Sequence, residues 1–381
     1  MFKIISILRI YLFLSVFIAP CAYTATKIPP APKFPVASYI LMDADTGLVL
    51  AQQDSDKRIL PASTTKLMTA YLVEKAIAQG QIHEHDLVTI SDNAERVEGS
   101  RIYLKANMQV PVEVLLNGMI IVSGNDASIA LAEHVAGSQR NFSALMNQEA
   151  QRLGMNNSNF VNPNGLPDKN HYSSSRDLAL VAQAIINDYP ESYWRYSTPS
   201  FSFNTLRKEN SNLLLKDKNG VDGMKTGYTH AAKYCLVSSA KHDDMRLIAV
   251  VMGAQSIQTR NQQIRDLFNY GFRYYQTSEV YSANETISTL PVRLGAQKQV
   301  NVGLNEDLYI TIPGGEYSNV EATLNIPERM NAPIASDQKI GNLKLSLNGK
   351  IIADRPVYTL ETIDKGSVWQ RSKEYFHEFF E

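Results

Sequence analysis

Residues 38–54, SYILMDADTGLVLAQQD, consist of two apolar runs that flank the turn-forming sequence Asp-Thr-Gly at 45–47. Apolar runs of this length around such a turn predict a β-hairpin. Residues 61–80, PASTTKLMTAYLVEKAIAQG, have apolar positions that recur at a period of about 3.6, which predicts a helix that ends at Gly80. The first folded elements are therefore expected to be two strands and a helix.

The following 200 residues extend this pattern. Apolar periodicity predicts further helices at residues 112–122, 126–137, 142–153, 176–188 and 258–274. The segments KYCLVSSAK (233–241) and MRLIAVVMGA (245–254) predict two adjacent strands. Strands first, helices in the middle and strands last predict one mixed α/β domain over residues 37–276.

A second, all-β domain is predicted over residues 277–363. Segments such as VNVGLNEDLYITIP (300–313) alternate between apolar and polar residues, which is typical of half-buried strands. The dipeptide Asn348-Gly349 between apolar runs predicts a two-residue hairpin loop. This domain lies between the α/β domain and the C-terminal residues 364–381. From that position, we expect it to act as a stalk.

The N-terminal segment resembles an export signal. Residues 1–25 combine Lys3 and Arg9 with an apolar run of about ten residues and then small residues, which predicts a secretory signal peptide. The alternative is a membrane-spanning anchor, although a span needs about 20 apolar residues. Residues 26–36 hold four prolines and predict an extended Pro-rich leader.

Residues 364–381, DKGSVWQRSKEYFHEFFE, can place their aromatic side chains on one face of a helix. Such an amphipathic helix is typical of attachment to a membrane surface, and the alternative is a helix docked on its own domain. Together with the signal peptide, it predicts an exported protein held peripherally at the periplasmic face of the inner membrane.

Composition excludes several functional classes. Hydrophobic residues make up 44% of the 381 residues and charged residues 20%, which are ordinary globular values that exclude disorder and coiled coils. With 37 basic and 38 acidic residues the net charge is −1, so the basic excess that favours a nucleic-acid partner is missing. Two cysteines form no disulfide framework. The histidines have no ligand spacing, so neither a metal nor another cofactor is expected.

Three short motifs stand in order along the α/β domain: Ser63-Thr-Thr-Lys66, Ser123-Gly-Asn125 and Lys225-Thr226-Gly227. The patterns Ser-x-x-Lys and Ser-x-Asn recur elsewhere in the chain and carry little information singly, whereas Lys-Thr-Gly occurs once. Their significance lies in the combination of order, spacing and structural context.

The first motif suits nucleophilic catalysis. Ser63 and Lys66 lie one helical turn apart on the same face. A serine hydroxyl is a weak nucleophile until a base takes its proton, and burial with nearby cations can make a lysine that base. A helix start at Ser63 would also offer backbone N–H groups to an oxyanion. The alternatives are an ordinary N-cap for Ser63 and a solvated charge for Lys66.

The other two motifs suit substrate binding. Ser123-Gly-Asn125 falls between two predicted helices, on a turn that can point a hydroxyl and an amide into a cleft. Lys225-Thr226-Gly227 precedes a strand pattern, and a strand with these residues can pair with an extended peptide and bind a carboxylate. Ser91-Asp-Asn93 matches Ser-x-Asn, but it opens a polar helix and is interpreted as a cap.

The stretches PASTTK (61–66), SGND (123–126) and DGMKTGYT (222–229) together resemble the penicillin-recognising serine acyltransferases, and most closely the low-molecular-mass D-alanyl-D-alanine carboxypeptidases. Supporting stretches are GSRIYLK (99–105) and NPNGLPDKNHYSS (162–174). The resemblance implies a β-lactamase-like α/β fold, an antiparallel sheet with helices, followed by the small all-β domain and the amphipathic helix. It further implies cleavage of the terminal D-alanine from peptidoglycan stem peptides and inhibition by β-lactams.

The resemblance also assigns roles. Ser63 would be the acylated nucleophile, Lys66 the general base and Ser123 a proton relay to the leaving nitrogen. The backbone N–H groups of Ser63 and Tyr228 would form the oxyanion hole. Substrate would be bound by five further residues: Asn125, Lys225, Thr226, Gly227 and Arg260.

The chain departs from the family pattern at two positions. Tyr228 stands where some members have histidine, and Asn210 where some relatives have a second arginine. Three other functions fit parts of the pattern: a β-lactamase, a DD-endopeptidase of the same superfamily, and a non-catalytic peptidoglycan-binding module. Covalent labelling by a β-lactam separates the enzymes from the non-catalytic module.

Overall fold

The computed structural model describes residues 28–217 and 219–372. The predicted signal peptide, residues 1–25, lies outside the described residues, as do residues 373–381 of the predicted tail. Within the described residues, none of the helices is both long enough and apolar enough to cross a bilayer.

Among the described residues, the first domain contains nine strands. They are β1 (Ser38–Asp43), β2 (Val49–Gln53), β3 (Leu87–Thr89), β4 (Gln109–Pro111), β5 (Ser200–Phe203), β6 (Leu206–Glu209), β7 (Val221–Thr229), β8 (Lys233–His242) and β9 (Met245–Ala254). Five of them form an antiparallel sheet in the order β2-β1-β9-β8-β7, and β3–β4 and β5–β6 form separate two-stranded ribbons. The hairpin predicted around residues 45–47 is confirmed, and so is the pairing of β8 with β9.

The helices of this domain are α1 (Lys66–Ala78), α2 (Asp92–Arg96), α3 (Val112–Ile121), α4 (Asn125–Ala136), α5 (Gln139–Arg152), α6 (Ser175–Asp188), α7 (Trp194–Ser197) and α8 (Ile257–Tyr274). The helix predicted from residue 142 begins at Gln139, because the hydroxyl of Ser138 accepts from the Asn141 N–H and caps it. The first helix also differs from expectation: Ala62–Thr65 form a 3₁₀ turn, and α1 itself begins at Lys66.

The five-stranded sheet separates two hydrophobic cores. One face packs against α1 and α3–α6, and the other packs against α8. Residues 28–36 contain no helix or strand and lie against this second core. The Tyr39 hydroxyl donates to the Pro32 carbonyl, and the Gln53 amide donates to the Phe34 carbonyl at 3.2 Å.

The second domain is built from β10 (Tyr275–Tyr281), β11 (Ser288–Arg293), β12 (Gln299–Gly303), β13 (Leu308–Pro313), β14 (Val320–Asn325), β15 (Met330–Asn331), β16 (Lys339–Leu347) and β17 (Lys350–Thr359). Its larger sheet has the order β14-β16-β17-β12-β11-β15. The predicted loop joins β16 to β17, and Asn348 and Gly349 both have positive φ, as a type I′ turn requires. A mixed α/β domain followed by an all-β domain is thus confirmed.

A buried carboxylate joins the two domains. Asp43, at the end of β1, accepts from the Thr46 N–H at 2.8 Å and from the hydroxyl of Thr277 on β10 at 2.6 Å. Thr46 also contacts the hydroxyl of Thr311 on β13 at 2.6 Å. The same turn that connects β1 to β2 therefore fixes the position of the second domain.

The chain leaves this domain later than the sequence suggested. Lys365 forms a β-bridge with Gly295, and the Gly366 N–H donates to the Leu294 carbonyl at 2.8 Å. Helical residues begin at Val368, and the next residue, Trp369, is 80% exposed. Residues 364–366 are thus part of the β-rich domain, and not of the helix that was predicted from residue 364.

Candidate active site

The 3₁₀ turn at Ala62–Thr65 presents the side chain of Ser63. Pro61 closes the turn, because its carbonyl accepts from both the N–H of Thr64 at 3.2 Å and its hydroxyl at 2.7 Å. Ala62 has a φ of +49°, a strained value for a residue with a Cβ. Thr64 and Thr65 are buried whereas Ser63 is half-buried, so the turn directs the Ser63 hydroxyl outward.

Lys66 lies directly behind Ser63 and is only 1% exposed. Its Nζ is 3.0 Å from Ser63 Oγ, 2.7 Å from Asn125 Oδ1 and 2.7 Å from the carbonyl oxygen of Asn164. Burial, and secondarily the positive charge of Lys225, hold the pKa of this amine well below its usual value. A neutral amine has two N–H donors and one lone pair. It can therefore donate to Asn125 and Asn164 while it accepts the proton of Ser63.

The Ser123-Gly-Asn125 motif forms the turn before α4. Ser123 has a φ of +64°, and its side chain is buried. The N–H of Asn125 donates to the Ser100 carbonyl at 2.7 Å, and its side-chain amide donates to the Glu98 carbonyl at 2.6 Å. These bonds fix the orientation of the Asn125 side chain, so its oxygen faces Lys66.

Asp126 is a structural residue that sequence analysis did not single out. Its buried carboxylate accepts from the Ile102 N–H at 3.0 Å and the Leu104 N–H at 3.1 Å. It thereby attaches the loop at 98–105 to the start of α4. An acidic residue in the first turn of a helix is common, so the sequence alone gave no signal for this role.

The Lys225-Thr226-Gly227 motif lies on β7, the edge strand of the sheet. A Cβ on Gly227 would lie 3.0 Å from the Pro61 carbonyl and 3.2 Å from the Thr64 nitrogen. A Cβ at this position would push the turn that carries Ser63 away by a few tenths of an ångström, so glycine allows the strand to pack closely against it. Lys225 is buried, and this burial together with Arg260 lowers its pKa to about 7.

The opposite face of β7 carries the rest of the predicted binding site. Side chains alternate along a strand, so Thr226 and Tyr228 point to the face on which α8 packs. Arg260, on α8, reaches β8 and lies 3.5 Å from the Cys235 carbonyl. Burial lowers its pKa to about 10. Tyr228 is exposed, and its ring lies 4.5 Å from that of Tyr234.

A loop at residues 162–171 completes the site, although sequence analysis gave it no role. It supplies the Asn164 carbonyl to Lys66, and Gly165 adopts a φ of +83° where a Cβ would lie 1.9 Å from the Ala62 carbonyl oxygen. His171 Nδ1 accepts from the Val161 N–H at 3.2 Å, so Nε2 carries the proton and donates to Thr65 Oγ1 at 2.8 Å. Burial lowers the pKa of His171 to about 4. The turn-rich sequence Asn-Pro-Asn-Gly at 162–165 was the available signal.

Two other expectations concern residues outside the site. Ser91 caps α2 by accepting from the Ala94 N–H at 3.1 Å, which confirms its interpretation as a cap. Asn210 is buried and donates to the Thr198 carbonyl at 2.9 Å. The amide thus has a structural hydrogen bond at the position where some relatives carry an arginine.

The structure brings residues of the three motifs together: Ser63 Oγ and Asn125 Oδ1 contact the buried Lys66 amine, and Gly227 packs against the Ser63 turn. This arrangement defines a serine acyl-transfer enzyme. Residues 25–256 match the family described as D-alanyl-D-alanine carboxypeptidase, and residues 275–365 match the penicillin-binding protein 5 C-terminal domain. The chain belongs to the D-alanyl-D-alanine carboxypeptidase family, whose members are serine hydrolases.

Individual proteins agree with this assignment. D-alanyl-D-alanine carboxypeptidase DacC of Escherichia coli (strain K12) is 40% identical over 95% of this chain and 94% of its own. Penicillin binding protein 5 from Haemophilus influenzae is 41% identical, with a TM-score of 0.81 over 88% of this chain and 100% of that chain. Penicillin-binding protein D2 from Listeria monocytogenes, solved in the ampicillin-bound form, has a TM-score of 0.59 and is 29% identical over 64% of this chain and 100% of its own.

The packing of the 162–171 loop gives a first prediction. Gly165→Ala should move the Ser63 turn, because the new methyl group meets the Ala62 carbonyl, and a shift of about 1 Å can slow acylation about 100-fold. The matched control is Gly154→Ala, where φ is +75° but an added Cβ would have no described residue within 4 Å other than its chain neighbours. The control should lower the free energy of unfolding by about 1–2 kcal/mol and leave the rate of acylation by benzylpenicillin unchanged. Equal acylation rates in the two variants would contradict the packing described.

Proposed function

We propose that Ser63 is the nucleophile that cleaves the bond between the two terminal D-alanines of a peptidoglycan stem peptide. Its Oγ bonds to the carbonyl carbon while its proton passes to Lys66. The C–N bond then breaks, Ser123 relays a proton to the leaving nitrogen, and D-alanine departs. Water hydrolyses the acyl-enzyme and restores Ser63. The 3.0 Å contact between Ser63 Oγ and the buried Lys66 amine carries this proposal.

We assign substrate binding to the free edge of β7 and to the side chains on and beside this strand. As an edge strand it has a free side that can pair with an extended peptide. Lys225, Thr226 and Arg260 supply positive charge and a hydroxyl for the terminal carboxylate, and Asn125 orients the substrate amide. Gly227 allows the close approach to the Ser63 turn, and the backbone N–H groups of Ser63 and Tyr228 stabilise the oxyanion.

The same site should react with β-lactams, which present a strained amide and a carboxylate to the same groups. The similar Listeria protein in its ampicillin-bound form supports this extension. For the cellular context, we propose export through residues 1–25 and attachment to the periplasmic face of the inner membrane through the tail. The β-rich domain then holds the cleft away from the membrane, toward the wall.

The nucleophile assignment predicts a specific covalent adduct. Intact mass spectrometry after mixing with benzylpenicillin should show one penicilloyl adduct on the wild type and none on Ser63→Ala. Ser336→Ala is the matched control, because it alters another Ser-x-x-Lys sequence in the β-rich domain and should be acylated like wild type. Lys66→Arg should react almost as poorly as Ser63→Ala, since a guanidinium group does not act as a base. An adduct on Ser63→Ala would exclude Ser63 as the nucleophile.

The assignment of peptide specificity is tested in the same preparation. A pentapeptide that ends in D-alanyl-D-alanine should lose D-alanine, whereas a cross-linked dimer should remain intact. Preferential cleavage of the dimer would indicate the endopeptidase alternative.

The pKa of Lys225, about 7, predicts the high-pH side of the activity profile. A lysine is cationic below its pKa, so carboxylate binding should weaken as pH rises through that value. Accordingly, kcat/KM for a D-alanyl-D-alanine peptide should fall above about pH 7. In Lys225→Arg the guanidinium stays charged, and the falling limb should move to higher pH. An unchanged falling limb in this variant would assign that titration to another group.

Membrane attachment is tested by removing residues 367–381, which keeps the bridge between Lys365 and Gly295. The full mature chain should cosediment with vesicles of phosphatidylethanolamine and phosphatidylglycerol, because an aromatic helical face inserts at the interface. The truncated chain should remain in the supernatant with unchanged peptidase activity. Sedimentation of both proteins in low and high salt alike would show that the tail is not the anchor.

A further inference from the structure

The loop at residues 98–105 presents one aromatic side chain to solvent. Ile102 and Leu104 are buried and their N–H groups bind the Asp126 carboxylate, whereas Tyr103 between them is 56% exposed. Tyr103 has a φ of +64°, a conformation that the flanking bonds to Asp126 maintain. The same contacts that attach the loop to α4 therefore direct this ring into solvent.

Two cations flank the exposed ring. The guanidinium carbon of Arg101 and the Nζ of Lys208, on β6, each lie 5.6 Å from the centroid of the Tyr103 ring. Both distances are within the range of cation–π attraction. The ring thus brings together two positive charges from segments that are more than 100 positions apart in the chain.

Neither cation is neutralised by the described part of the chain. No carboxylate of residues 28–217 or 219–372 lies within ion-pair distance of Arg101 or Lys208, and the buried Nε of Arg101 has no hydrogen-bond partner there. Lys105, on the same loop, is instead paired with Glu95 at 3.2 Å. Two like charges beside one ring repel each other, and an anion between them would relieve that repulsion.

The loop that carries Arg101 and Tyr103 is linked to the reactive groups through its backbone. Ser100, the residue before Arg101, accepts from the Asn125 N–H through its carbonyl, and Asn125 in turn contacts Lys66. Lys225 lies on β7 and Arg260 lies on α8. Under the proposed function, both residues bind the terminal carboxylate of the substrate. An anion bound at Tyr103 must therefore be a second negative group.

We propose that Arg101, Tyr103 and Lys208 form an anion-binding subsite for a side-chain carboxylate of the peptide, upstream of the scissile bond. The subsite rests on the proposed function, since it takes the same substrate. It selects among stem peptides by charge: a carboxylate upstream of the D-alanine pair is bound between the two cations, and its uncharged amide counterpart is not.

The test compares two isosteric peptides, N-acetyl-L-glutamyl-D-alanyl-D-alanine and N-acetyl-L-glutaminyl-D-alanyl-D-alanine. Wild type should prefer the glutamyl peptide about tenfold in kcat/KM at low salt, with about threefold from each cation. Arg101→Gln and Lys208→Gln should each reduce this preference, and the double variant should abolish it. All variants should hydrolyse the glutaminyl peptide and react with benzylpenicillin like wild type.

The matched control is Arg207→Gln. This change removes a neighbouring exposed cation from β6 whose side chain points to the other face of the ribbon, so the preference should be retained. Raising the ionic strength to 0.5 M should weaken the preference in wild type, because the pairing is exposed to solvent.

The outcomes separate the two proposals. Equal hydrolysis of both peptides by wild type, or a preference that survives in the double variant, would overturn the subsite and leave the proposed function intact. Failure of wild type to hydrolyse either peptide would overturn the proposed function and the subsite with it. A preference lost equally in Arg207→Gln would indicate a general effect of net charge and would also overturn the subsite.

Discussion

The site depends on the burial of one amine. Lys66 is removed from water. In the part of the chain that the structure describes, the polar contacts of its Nζ come from three different segments: the Ser63 turn, the start of α4 and the 162–171 loop. Burial disfavours the charged form of both Lys66 and Lys225. Neighbouring cations lower the two pKa values further, because Arg260 acts on Lys225 and Lys225 acts on Lys66. These interactions suit Lys66 to the proposed role of base for Ser63.

Close packing holds these three segments at fixed positions relative to one another. Gly227 lets the edge strand approach the Ser63 turn from one side, and Gly165 lets the 162–171 loop approach it from the other. Asp126 holds the 98–105 loop, which carries the cation-flanked Tyr103, against the start of α4 beside Asn125. The five-stranded sheet and its helical layer serve chiefly to hold these backbone segments at fixed distances.

Local patterns were enough to predict much of this structure. The hairpin at 45–47, the pairing of β8 with β9 and the loop at Asn348-Gly349 depend on short-range turn chemistry, and the structure contains all three. The roles of Asn164 and Asp126 could not be read from the sequence, because a carbonyl oxygen has no signature and a buried carboxylate resembles a helix-end charge. The contact between Tyr103 and Lys208 likewise required the fold.

The protonation state of the buried amine is tested most directly by a titration of Lys66 itself. The tail-less protein, labelled with ¹³C and ¹⁵N in its lysine side chains, can be followed by NMR from pH 6 to 11, and the Lys66→Arg variant identifies the signal by its disappearance. If burial lowers the pKa of Lys66 as described, this lysine is neutral at pH values where ordinary lysines, with a pKa of about 10.4, remain charged. A Lys66 signal that titrates at or above that ordinary value would exclude Lys66 as the base, because the amine beside Ser63 would then have no lone pair with which to accept its proton.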